Sequence, residues 1–234
     1  MESLPIGYKA IVIGATGGIG GALVEALRTD ARSGEVLALS RSSVPGIDFD
    51  DEAAIEAAAH ALGDQGPFHL IVDATGVLEG EGAFPEKALR QLTPEGLARA
   101  FQVNAIGPAL LLKHLHGLLP RKGKSVFATL SARVGSIGDN RLGGWYGYRA
   151  SKAALNQFLR TASIEIARRR KDAVCLALHP GTVHTRLSED YVARTKHEVF
   201  SPDQSARLML QVIDQCDARQ TGSHLAYDGS VVPW

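Results

Sequence analysis

KAIVIGATGGIGGALVEAL, residues 9–27, is the stretch whose reading decides the fold. A β-branched run (9–14) passes through a glycine-rich turn into a segment whose apolar residues, Ile19, Leu23 and Leu27, recur at helical steps. Glycine lets the backbone turn tightly and approach a ligand closely, and a helix N-terminus offers unpaired N–H groups to an anion. A strand, such a turn and a helix therefore suit a pyrophosphate, with Thr16 and Ile19 inside the turn. The spacing fits GxxxGxG through Gly14, Gly18 and Gly20. It also fits GxxGxxG through Gly14, Gly17 and Gly20, and the turn by itself does not choose.

Outward from this unit, apolar strand runs alternate with helical segments. The runs are EVLALS (35–40), HLIVDA (69–74), SVFATLS (125–131), AVCLALHP (173–180) and SHLAYDG (223–229). The helical segments are 18–32, 51–62, 93–119, 148–170 and 202–216. Runs apolar almost throughout predict parallel strands covered on both faces, hence an α/β, doubly wound sheet. A short further strand is expected at 46–48, and no repeat or linker divides residues 1–234, which are expected to form a single domain. The arginines at 168–170 read as a helix C-terminus complementing its dipole.

The chain balances 25 Lys+Arg against 25 Asp+Glu over 234 residues. No cationic excess is available for nucleic acid or an anionic membrane, so neither is expected as a partner. Two cysteines without a CxxC spacing and no signal-like start point to a reducing, cytoplasmic setting without a metal site. Glycine is abundant, at 25 residues, and ten of these fall within 14–21 and 135–147.

At the end of the second run, where an NAD site places an acidic residue, stand Ser40 and Arg41. A hydroxyl and a guanidinium suit a 2′-phosphate, so NADP(H) is preferred over NAD(H). Asp48, before Phe49, would accept from an adenine amino group. Further on, Tyr148 and Lys152 share one helix face at i, i+4. An ammonium beside a phenol favours the phenolate, so the pair would exchange a proton with a carbonyl or alcohol oxygen. Ser131, closing an apolar run, would donate to the same oxygen.

With these residues in hand the chain resembles the short-chain dehydrogenase/reductase family over nearly its whole length. GATGGIG resembles the family's cofactor turn and VNAIGP, around Asn104, its fourth-helix asparagine segment. SVFATLS carries its serine, YRASK its Tyr-x-x-x-Lys signature, and HPGTVHT its PG motif. YRASK followed by AALN is similar to the compact single-domain branch, which favours GxxxGxG, and SARVGSIGDNRLGGWYGYRASKAALN with AYDGSVVPW most resembles the C-factor-like subgroup. The resemblance implies a Rossmann-type sheet of about seven strands in the order 3-2-1-4-5-6-7. It implies Tyr148 as acid–base, Lys152 on the nicotinamide ribose and lowering the tyrosine pKa, and Ser131 orienting the substrate oxygen. Asn104 would hold a water in a proton relay to Lys152. Pro180, Gly181, Val183 and Thr185 would border the nicotinamide carboxamide and a phosphate. A homodimer or homotetramer packed through the helices bearing Asn104 and Tyr148 is implied too, with Trp234 joining it. The expected activity is NADPH-dependent reduction of a small carbonyl compound; the alternative is an NAD(P)-binding signalling protein of C-factor type with little turnover.

Four departures accompany the resemblance. Ile13 replaces the usual threonine before the turn. DATG, carrying Ala74, Thr75 and Gly76 after Asp73, replaces NNAG, so bracing of the central strand is expected from elsewhere. Ser131 and Tyr148 are set wider apart than usual, which places an insertion at 132–147. His184 stands in the PG motif and is read as facing solvent. Substrate choice is expected from the inserted loop, with Trp145 and Tyr146, and from 186–200, which is short enough to suggest an open site.

Overall fold

The computed structural model describes residues 1–80, 82–189 and 198–234. In chain order the strands are β1 (Tyr8–Ile13), β2 (Ser33–Leu39), β3 (Leu70–Asp73), β4 (Ser125–Leu130), β5 (Ala173–His179), β6 (Thr182–Val183), β7 (Val199–Phe200) and β8 (Ser223–Ala226). Six of them form one parallel sheet in the order β2-β1-β3-β4-β5-β8, and β6 pairs with β7 separately. This is the doubly wound Rossmann-type arrangement. It lacks the outermost strand expected at 46–48. There Pro45 has no N–H for a ladder, and the Ile47 N–H turns back to the Ser40 carbonyl at 3.0 Å, so the segment closes a turn at the end of β2.

Among the described residues six helices complete the layers: α1 (Gly18–Arg28), α2 (Glu52–Gly63), α3 (Pro94–Phe101), α4 (Gly107–Leu115), α5 (Tyr146–Ala167) and α6 (Pro202–Gln215). The helix expected over 93–119 is borne out as α3 and α4, joined in unbroken helical backbone by a π-helical turn, Gln102–Ile106. Strand residues alternate between two cores, as the pleat requires. Ala10, Val12, Leu70, Val72, Val126 and Leu176 pack with α1 and α6, whereas Ile11, Ile13, Ile71, Phe127 and Cys175 pack with α2, α4 and α5. The central strands β1, β3, β4 and β5 are thus buried on both faces, while the edge strand β2 is only partly buried. Among the described residues no helix is long and apolar enough to cross a membrane.

The helix starts follow their sequence cues. Asp51 accepts from the Ala53 N–H at 3.0 Å, and Ser201 and Gln204 form a reciprocal capping box with Pro202 opening α6. Helix α5 ends at Ala167, and Arg170 beyond it donates to the carbonyls of Leu119 and Gly117. Strand register then fixes where chemistry can occur. Ile13 lies beside Leu39 and Asp73, Asp73 beside Thr129, and Leu130 beside Leu178, so the carboxyl ends of five strands open on one edge of the sheet.

Candidate functional site

A cleft of about 790 Å³ lies along those carboxyl ends. Its floor is the glycine turn. Gly14 has φ +80°, and a Cβ there would come 2.9 Å from the Ala74 carbonyl group. A Cβ on Gly20 would sit 2.1 Å from the Gly14 carbonyl oxygen, which no side chain can tolerate. Gly18 lies against Thr185, whose Cγ2 would be 3.0 Å from a Cβ there, and Gly17 is the residue before α1, with no side chain of its own to cap the helix. The first-turn N–H groups of α1 have no partner within the helix, which leaves a site for an anion over Gly18 and Ile19.

One end of the cleft is bordered by Ser40, Arg41, Asp48 and Phe49. Ser40 Oγ lies 3.2 Å from Ser42 Oγ, and Arg41 and Asp48 are exposed. Phe49 is pinned against Gly107, where a Cβ would fall 2.3 Å from its ring, and Gln102 donates to the Phe49 carbonyl. Arg99 holds Asp50 beside it at 2.7 Å.

Ser131, Tyr148 and Lys152 all line the cleft. Helix α5 places Tyr148 and Lys152 on one face, with the Lys152 Nζ 6.0 Å from the tyrosine ring centre. The ammonium is buried and donates to the Leu130 carbonyl at 2.7 Å. A Cβ on Gly135 would come 2.8 Å from that of Lys152, so the loop after β4 lies directly against the lysine stem. Burial lowers the Lys152 pKa to about 8, opposed by the negative charge of Asp73. Burial also raises the Tyr148 phenol to about 12. Dehydration therefore outweighs the lowering of the phenol that the sequence suggests, and Tyr148 holds its proton.

Asp73 supplies the bracing expected from elsewhere. Its Oδ1 accepts from the Thr75 N–H at 3.0 Å and the Thr75 hydroxyl at 2.6 Å, and its Oδ2 from the Thr129 hydroxyl at 2.7 Å. DATG thus ties β3 to β4 with a fully buried carboxylate, whose pKa burial raises against these three bonds. Asn104, in the π-helical turn, is also fully buried, just outside the cleft. Its Oδ1 accepts from the Val77 N–H and its Nδ2 donates to the Val77 carbonyl, both at 2.8 Å, and to Ser151 at 3.3 Å. Both ends of the amide are committed to protein, and no water relay is needed to account for its burial. Gly76 passes over it, with a Cβ there 3.4 Å from Asn104 Oδ1 and 3.6 Å from the lysine ammonium.

On the far side Pro180 and Thr185 line the cleft. Gly181, at φ +81°, lies against Phe200 and Tyr227, and Val183 is buried in β6. His184 is exposed, as read from the sequence. Of 186–200, Arg186 and Leu187 reach the cleft and residues 190–197 lie outside the described residues. Trp145 packs edge-on to Tyr148 at 6.2 Å from the left-handed φ of 53°, while Tyr146 opens α5. Trp234 stacks on the buried His224 and accepts from the Gly138 N–H.

Three supporting residues are given no role by the motifs. Glu86, 2% exposed, accepts from the Gly147 N–H at 3.0 Å, and its main-chain carbonyl takes the Trp145 N–H; it caps the helix that Trp145 cannot cap. Arg149 donates to the carbonyls of Val134, Gly143 and Gly144 and so fixes the inserted loop. Asn156 lies 2.7 Å from Ser131. Only Asn156 carries a sequence signal: 148, 152 and 156 are polar at successive i, i+4 steps. A second cavity, of about 460 Å³ between α1 and α6, holds none of the motif residues, and no cluster of metal-ligating side chains occurs among the described residues.

Comparison with known proteins agrees with this fold. A family model described as enoyl-(acyl carrier protein) reductase matches residues 17–231. The chain is similar to 1-hydroxy-2-glutathionyl-2-methyl-3-butene dehydrogenase of Rhodococcus sp. (strain AD45), with 31% identity over 81% of this chain and 79% of the relative. It is similar to C-signal of Myxococcus xanthus, with 33% identity over 72% of this chain and 94% of that one. The NADPH-bound carbonyl reductase from chicken fatty liver shares the fold, with a TM-score of 0.83, 24% identity and coverage of 99% of this chain and 100% of the other.

Proposed function

The chain belongs to the short-chain dehydrogenase/reductase family of NAD(P)-dependent oxidoreductases, and on that premise we propose that it reduces a small carbonyl compound with NADPH. The observation that carries this reading is that Ser131, Tyr148 and Lys152 line one cleft at the strand ends, with the phenol held protonated. The cleft fits a dinucleotide. Glycines that exclude a Cβ line its floor, and its volume lies in the range of small-molecule sites. The turn Gly14–Gly20 and Thr185 hold the pyrophosphate, Ser40 and Arg41 the 2′-phosphate, and Asp48 with Phe49 the adenine. Ala74, Thr75 and Gly76 line the middle, while Pro180, Gly181 and Val183 form the nicotinamide wall. Bound there, the cofactor supplies the hydride.

The chain's own residues do the rest. Ser131 donates to the substrate oxygen and holds it beside the Tyr148 hydroxyl. Tyr148 gives that oxygen its proton, and Lys152, held cationic by Asp73, stabilises the phenolate left behind. Asn104 fixes Val77, and through it the segment beside Lys152. A phenol protonated to about pH 12 is set to give a proton at neutral pH; the reverse oxidation needs the phenolate and gains with rising pH. The named activity of the Rhodococcus relative, a dehydrogenase, is that reverse direction.

Residues 1–234 would act as one cofactor domain. Phe158 and Ile164, half-exposed on α5, support a homo-oligomer through that helix. The experiment is Tyr148→Phe: turnover of NADPH with aldehydes, ketones and quinones is lost while NADPH still binds, and retained turnover refutes the assignment. The similarity to C-signal supports a second reading, in which cofactor occupancy matters and turnover does not. A phenotype of the gene's deletion that Tyr148→Phe still complements decides for it.

A further inference from the structure

Asn156 stands two helical turns beyond Tyr148 on the same face of α5, 3% exposed, with its Oδ1 2.7 Å from the Ser131 hydroxyl oxygen. In this arrangement the serine gives its one proton to the amide. The other end of the amide, Nδ2, is buried without a partner among the described residues. Both features are costly for a site that reduces a carbonyl. The serine has no proton left for a substrate oxygen, and a buried amide donor goes unused.

One rotation removes both. Turning the Asn156 amide about its last side-chain bond places Nδ2 where Oδ1 stands, so that Nδ2 donates to Ser131 Oγ. The serine then accepts from the amide, and its hydroxyl proton is free to point into the cleft, where Tyr148 lies. A hydroxyl that accepts a hydrogen bond is also a stronger donor, so the amide would polarise the serine toward the substrate oxygen. The oxygen of the turned amide takes the place of a donor, and an under-satisfied carbonyl is more readily tolerated than an unpaired N–H.

We propose that Asn156 is the positioning residue of Ser131: its amide holds the serine proton in the resting site and, by turning to donate, releases that proton to the substrate oxygen. The proposal rests on the carbonyl-reductase reading above. Asn156 touches neither substrate nor cofactor, so all of its effect must pass through Ser131.

That restriction gives the test, steady-state kinetics of Asn156→Ala and Asn156→Asp alone and in the Ser131→Ala background, with NADPH affinity measured by fluorescence for each variant. Losing one neutral hydrogen bond predicts a fall in kcat of about tenfold for Asn156→Ala, with KM and NADPH affinity little changed. Asn156→Asp keeps the shape but can only accept, so it traps the serine proton and its kcat falls close to that of Ser131→Ala. In the Ser131→Ala background neither substitution at 156 lowers kcat further. An Asn156→Ala loss of the same size in both backgrounds marks a packing role and overturns the proposal, as does wild-type kcat in Asn156→Asp. Full turnover by Ser131→Ala refutes instead the reading on which it rests.

Discussion

Replacing Asp73 separates two things this carboxylate does at once, tying β3 to β4 and favouring the charged form of Lys152 against burial. Asp73→Ala leaves the Thr129 hydroxyl, 1% exposed, and the Thr75 N–H without their acceptor. At about 1–3 kcal/mol for each group left unpaired, the loss is roughly 2–6 kcal/mol, or about 5–20 °C in Tm for a chain of this size. Asp73→Asn keeps the bonds: the amide oxygen accepts both Thr75 donors, and the amide nitrogen donates to Thr129, whose hydroxyl rotates to accept. Its stability effect has the opposite sign. Burial raises the Asp73 pKa above its unfolded value, so the native state binds that proton more tightly, and stability is lost as pH rises through the raised pKa. Asn removes this cost, and its Tm at neutral pH equals or exceeds that of the wild type. The activity shows the electrostatic part. Asp73 raises the Lys152 pKa against burial, which leaves it at about 8. Without the carboxylate the ammonium loses its proton at lower pH, and the alkaline limb of kcat/KM for carbonyl reduction moves toward neutrality. The assay is the pH–rate profile of NADPH oxidation from pH 6 to 10 beside a thermal melt of each variant. Superimposable profiles for wild type and Asp73→Asn would refute the claim that this carboxylate sets the charge of the lysine.

Other substitutions probe the remaining parts. Gly20→Ala pushes a Cβ onto the Gly14 carbonyl and weakens NADPH binding by roughly tenfold to a hundredfold, whereas Gly63→Ala, which faces open space, leaves binding unchanged; fluorescence titration reads both. Arg41→Asp replaces a guanidinium with a repelling carboxylate and shifts the ratio of kcat/KM for NADPH over NADH about tenfold to a hundredfold toward NADH; an unchanged ratio removes the 2′-phosphate assignment. Glu86→Ala strips the cap from the Gly147 N–H and costs about 1–2 kcal/mol, seen as a lower Tm together with a lower kcat, because the first turn it releases carries Tyr148.

The layer order and the cleft were legible because their signals are local. Alternating strand and helix periods predict the doubly wound sheet, and the glycine turn and the Tyr148–Lys152 spacing each lie within a single element or turn. The strand expected at 46–48 fails for a reason the apolar pattern does not carry: the turn from Ser40 to Ile47 consumes the bond that a ladder would need. The helix expected over 93–119 is present in helical backbone from Pro94 to Leu118, and what the apolar spacing does not announce is the π-helical turn within it at Gln102–Ile106.

The site divides along the same line. Residues whose partner would be the cofactor or substrate stand in short motifs, because a turn or one helix face must present them together. Residues that hold those side chains in place have partners far along the chain: Thr129 lies 56 positions from Asp73, Gly147 61 from Glu86, and Asn156 25 from Ser131. No spacing rule reaches across such distances, and each supporting group reads in isolation as an ordinary polar residue. Asp73 shows the consequence most directly. As a letter it marks a departure from NNAG that leaves the bracing to be found elsewhere, yet in the fold its carboxylate gathers two hydroxyls and an N–H and favours the lysine charge. The substitution therefore exchanges a neutral brace for a charged one, and the pH range over which the lysine stays cationic becomes a property of this chain's third strand as much as of its Tyr-x-x-x-Lys helix.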